Sequence, residues 1–215
     1  MTENKEMAKK QEDAVTEKRD AMEEYAEDDF IGYIKLLSGN SSEVASGEQK
    51  PGEFITSEGT KLSQPLDAVF IGYTHQIMKF KDSSLELTMN LNPEKYRPEE
   101  SPDFLELYKE SKTNNKCTYG FNILMYLPDY NMYKTFFFKN TSKKAGIQFK
   151  NAGRAKLGTK RKEGKNGVYF IVTVTPSNDP YELGAEATKQ MNKLYNLCTE
   201  PSSEEGSNAG DDLEN

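Results

Sequence analysis

The sequence predicts a mainly β protein, a small antiparallel barrel with a helix before it and a helix after it. Three observations point there. Several segments in the middle of the chain alternate apolar and polar residues with a period of two, as half-buried strands do. The 12 Tyr and 11 Phe cluster in that same region. A glycine, Gly72, interrupts the longest strand candidate, where a bulge or bend would let a sheet turn on itself.

The elements follow in order. Residues 1–28 combine strong helix formers with charge of both signs, yet carry no continuous apolar stripe, which predicts a partly helical charged arm. Phe30, Ile31, Ile34, Leu36 and Leu37 then recur at helical spacing and Gly39 suits a cap, so a short helix is expected. "ASGEQKPGEF" is a loop by its Gly, Pro and Ser. "EFITSEGTKL" predicts two short strands around a turn, residues 67–81 a long strand, and "SLELTMNL" another. A loop and a short helix near Phe104 to Glu110 come next.

In "CTYGFNILMYLPD" the residues Cys117, Tyr119, Phe121, Ile123, Met125 and Leu127 share one strand face, while Asn122 makes the other face polar. "LPDYN" reads as a hairpin turn into "YNMYKTFFFKN", where Phe136 and Phe138 oppose Tyr133, Phe137 and Lys139. "GVYFIVTVTPSN" is the clearest strand, with Val168, Phe170, Val172 and Val174 alternating. Asp179-Pro180 signals a last helix with Leu183, Ala187, Met191 and Leu194 on one face. Residues 200–215 form an acidic tail, disordered by composition. The expected organisation is an arm (1–28), one folded domain (29–199) and a tail (200–215). Five or six mostly antiparallel strands fit an OB-like closed barrel, with a sandwich or an α+β sheet as the alternative.

Several function classes drop out. No segment approaches the ~18 apolar residues of a membrane span, and the N-terminus lacks an apolar signal core, so a soluble cytoplasmic protein is expected. Cys117 and Cys198 are expected as free thiols. His75 is the single histidine and lies in a strand candidate, which disfavours Ser-His-Asp and Cys-His chemistry. A structural zinc site wants four Cys or His ligands, more than the chain holds. Metal-dependent cleavage would have to draw on Glu86, Asp103 and Glu106, whose spacing is not that of a site. A binding protein without catalytic residues, metal or cofactor is the expectation.

Charge is segregated along the chain. Between Lys134 and Lys165 there are eleven basic residues and one acid, Glu163, so this window carries +10 in a chain of net charge −7. A solvated charged loop is the bland explanation. A self-repelling run of this kind is better compensated by a polyanion, and a phosphate backbone supplies one. Lys outnumbers Arg, which suits following a backbone rather than reading bases. The predicted site comprises Lys139, Lys143, Lys144, Lys150, Arg154, Lys156, Lys160, Arg161, Lys162 and Lys165, with Tyr133 and Tyr169 as stacking platforms and Tyr73 and Lys79 as weaker additions.

A small barrel with a basic aromatic face and the acidic tail "EPSSEEGSNAGDDLEN" resembles bacteriophage single-stranded DNA-binding proteins of the OB-fold type. The resemblance implies a sequence-nonspecific protein of DNA replication or recombination. It implies single-stranded DNA or RNA as ligand, and replication proteins as partners through Glu200, Glu204, Glu205, Asp211, Asp212 and Glu214. The tail ends in Leu213-Glu214-Asn215 rather than in the large apolar residue such tails usually carry. A virion or nucleoprotein component, able to form homo-oligomers, is the alternative expectation.

Overall fold

A computed structural model describes residues 31–82, 84–114, 116–164 and 167–198. The predicted arm (1–28) and tail (200–215), and Lys165, lie outside the described residues. Nine strands form one sheet: β1 (Tyr33–Leu36), β2 (Phe54–Thr56), β3 (Lys61–Leu62), β4 (Leu66–Lys81), β5 (Ser84–Leu91), β6 (Cys117–Leu127), β7 (Met132–Lys139), β8 (Arg154–Gly164) and β9 (Gly167–Pro176). Among the described residues four α-helices accompany it: α1 (Ser42–Ala45), α2 (Pro102–Thr113), α3 (Lys143–Ala152) and α4 (Ala185–Asn196).

The strand order is β3-β2-β1-β7-β6-β4-β8-β9, with β5 also on β4. All pairings are antiparallel except β1 with β7, which is parallel. No pairing joins β3 to β9, so the sheet is open and mixed. The expected OB-like closed barrel is therefore wrong, although the mainly β class holds.

The physical reason lies in β4. One side of this long strand pairs with β6 from Val69 to Lys79. The other side is divided: β8 takes Leu66–Val69 and β5 takes His75–Lys81. The sheet branches there instead of continuing around a cylinder. The irregularity foreseen at Gly72 is real, a register shift between Phe70 and Gly72, but it marks the branch point. Gly72 has a second reason to lack a side chain, because a Cβ there would meet Met191 of α4 at 3.2 Å.

Alternation sorts the strands onto two faces. The front face packs Ile34, Phe54, Leu66, Ile123, Met125, Phe136 and Phe138 beneath Ala145 and Phe149 of α3. Farther along it, Ile77 and Leu91 pack on Phe104 of α2. The back face is smaller: Val69, Ile71 and Leu124 lie under Ala187 and Leu194 of α4. Gly146 lets α3 sit close, since a Cβ there would strike Phe138 at 2.9 Å.

Two helix expectations shift. Residues 33–36 form a strand, because Ile34 and Leu36 point one way, and hydrogen bonding to β2 and β7 outweighs a marginal helical stripe. The last helix begins at Ala185, not at Asp179-Pro180, and Leu183 stays 48% exposed ahead of it. The turn after β6 is one 3-10 turn at Pro128–Tyr130, closed by Asn131 in the left-handed region at φ 48°. No helix among the described residues is long and apolar enough to cross a membrane.

Candidate interaction edge

The predicted basic stretch folds into regular structure: the end of β7, the whole of α3, and β8. It does not form one groove. Helix α3 carries Lys143, Lys144 and Lys150 on the front side of the sheet. Lys150 lies 4.1 Å from the centre of the Tyr73 ring and Lys143 5.2 Å from that of Tyr119, so two of these cations rest on aromatic faces. Lys144 is exposed. Lys139 closes β7 on the back side.

Other positive charges are already answered by carboxylates. Arg154 grips Asp67 through two nitrogens at 3.2 and 2.6 Å, a bidentate pair that raises the guanidinium pKa further. Lys134 pairs with Glu58 at 2.7 Å and holds that carboxyl down to about 2. Lys79 meets Glu110 at 3.7 Å, and Arg161 meets Glu163 at 2.9 Å.

The aromatic predictions divide as well. Tyr133 packs against Tyr126 at 4.9 Å in the cluster under α4, and burial raises its pKa. It is half-buried and packs against that cluster. Tyr73 belongs to a front-face group with His75, Tyr119 and Phe121. His75 Nδ1 lies 2.8 Å from the Tyr119 hydroxyl, and burial, with Lys150 nearby, lowers its pKa to about 4. Tyr169 is 44% exposed, as its position on a polar strand face predicts.

What remains is the β8–β9 ribbon. The register sets Lys156, Lys160 and Lys162 opposite Thr175, Ile171 and Tyr169, all on the back face. None of these three lysines has an ion-pair partner among the described residues. The ribbon's other face is anchored. Phe170 covers Gly52, and the Thr159 hydroxyl donates to the Gly52 carbonyl at 2.9 Å. Val172 joins the front core.

Strand β9 pairs only with β8, so its outer N–H and C=O groups form no ladder among the described residues. Its ten residues, GVYFIVTVTP, carry no charge. An uncharged edge strand of this length is a template for another strand. Sequence reasoning recognised the strand but not that it lies at the edge. Strong alternation marks a strand without telling central from terminal.

Among the described residues no group of three His, Cys, Asp or Glu is placed to hold a metal ion, and Glu86, Asp103 and Glu106 form none. Cys117 and Cys198 are unpaired, and burial pushes both thiols up to about 11.

No known protein family, curated protein or solved structure matches the chain. With an open sheet and no such match, the resemblance to bacteriophage single-stranded DNA-binding proteins of the OB-fold type does not stand. The replication and recombination role, and the virion or nucleoprotein alternative, lose their support with it.

Proposed function

We propose that the chain is a non-enzymatic protein-interaction module in which β9 receives an extended acidic strand of a partner protein. The observation that carries this reading is the juxtaposition on one ribbon: an uncharged strand with an open outer edge beside three lysines that have no carboxylate partner among the described residues. Backbone pairing along β9 would supply the binding, and the lysine row would select the charge. The same row favours an acidic strand over a second copy, whose own lysine row would lie on the same face of the continued sheet. Two unpaired thiols fit a reducing, cytoplasmic location.

The test uses fluorescently labelled peptides that alternate Val or Thr with Glu, or with Lys, measured by anisotropy over a salt series. The Glu peptide is expected to bind, and more weakly as salt screens the charges. Three controls should lose at least about tenfold in affinity: the Lys peptide, a backbone N-methylated Glu peptide, and the Lys160→Glu/Lys162→Glu protein. Equal binding of the N-methylated peptide, or no binding of the Glu peptide at low salt, overturns the reading.

A further inference from the structure

The parallel pair β1 and β7 is short. It joins Tyr33 to Thr135 and Ile34 to Phe136, and then the strands part. A cavity of about 570 Å³ opens there, with Lys35 and Leu36 on one side of the gap and Phe137 and Lys139 on the other. That volume falls in the range of small-molecule sites, about 300–1,000 Å³.

Its lining is chemically selective. The chain has 35 Asp and Glu, yet none of the described ones lines the cavity, while two lysines do. Lys35 is held by Glu43. Lys139 has no ion-pair partner among the described residues.

Behind the lysines lie Gln76, Asn122 and Thr135. None of their side chains has a hydrogen-bond partner among the described residues. Thr135 is only 6% exposed. Among the described residues no fully buried side-chain N or O atom lacks a partner, so the unpaired hydroxyl of this cavity-lining residue is accessible from the cavity. Apolar surface comes from Met78 and from Phe137, whose ring lies close over Gly120, where a Cβ would meet it at 2.8 Å. Unpaired donors and acceptors, a flat aromatic wall and a free cation at the rim describe one kind of ligand.

We infer that this cavity binds a small amphipathic organic acid. The anionic head sits at Lys139, the flat apolar body lies against Phe137 and Met78, and polar substituents are met by Thr135, Asn122 and Gln76. The cavity borders β9, since Phe170 and Val172 also line it, but its ligand is held by Lys139 and Phe137, whereas the edge is read by backbone and by the lysines of β8.

The probe is 1-anilinonaphthalene-8-sulfonate, an aromatic body with one anionic head, titrated into the full chain and followed by fluorescence. N-phenyl-1-naphthylamine, the same body without the charge, is the control. One probe molecule per chain is expected, with saturation. The neutral analogue and the Lys139→Glu protein should each bind at least about tenfold more weakly. Asn122→Phe should fill the space and abolish binding. Lys160→Glu/Lys162→Glu should leave probe binding unchanged, which separates this site from the edge. Should Asn122→Phe fail to fold, Lys139→Glu at an exposed strand end still decides the matter. The inference is overturned if the full chain does not bind the probe, if binding never saturates, or if Lys139→Glu binds as wild type.

Discussion

Apart from the branch at β5, the path of strands from β3 to β9 has two ends, and they are built in opposite ways. At one end β3 is two residues long, and its Lys61 is tied to Glu53 at 2.6 Å. At the other, β9 is ten residues long and uncharged, with Val168 and Tyr169 nearly half exposed. A short, charged strand is a protected edge, whereas a long, neutral one invites pairing. A protein that gained nothing from that invitation could have ended both sides as it ended β3. The contrast makes β9, rather than any single lysine, the feature that most needs a function.

The largest expected effect breaks the protected end. Phe54 of β2 is 1% exposed and meets the Phe136 ring edge-on at 5.7 Å. Phe54→Ala should destabilise the fold by ~3–5 kcal/mol in urea unfolding. Acid should act on the body between the two ends. His75 titrates near 4 in the folded chain and near 6.5 when unfolded. Between those values the unfolded chain holds more protons, so stability is complete above about pH 6.5 and is lost as pH falls through 4. The ring is half-buried, and the screened loss should be roughly 2 kcal/mol. His75→Phe should flatten that part of the pH–stability curve. An unchanged slope would assign it to other groups.

The two ends meet at Gly52, and the third test separates them. Gly52 has φ +88°, and a Cβ there would strike the Phe170 ring. Gly52→Ala should cost about 1–2 kcal/mol and raise hydrogen exchange in β8 and β9 before the rest of the sheet. Uniform exchange would mean that the ribbon is not docked as a separate unit. The smallest effect sharpens the comparison with Phe54. Tyr169→Ala, an aromatic loss at the open end, should change stability by less than about 0.5 kcal/mol. A larger loss would show that β9 is packed rather than free.

How far the sequence could be read depended on whether the signal was local. Period two located β4, β6, β7 and β9 within about two residues, because each alternates apolar and polar side chains along its length. The same local logic placed Phe136 and Phe138 opposite Phe137, and Tyr169 on an exposed face. It failed at β1, where four residues satisfy a helical and an extended pattern equally well. The candidate site was half legible. Lys156, Lys160, Lys162 and Tyr169 share a face as alternation requires. Arg154 lies on the same face but is paired with Asp67, 87 residues away in sequence.

By itself the sequence determined the mainly β class, the positions of most strands though not of β1 or β8, and the collection of positive charge within one segment. These follow from nearest-neighbour chemistry: side-chain periodicity, turn residues and composition. Only the tertiary structure decided that β4 would divide one side between β8 and β5, leaving the sheet open and β9 at its edge. It alone decided which lysines rest on rings, which meet carboxylates and which have no partner among the described residues. It also placed Lys139, Asn122 and Thr135 around one cavity. Those outcomes depend on register and strand order, which are set by contacts between distant residues and leave no periodic trace along the chain.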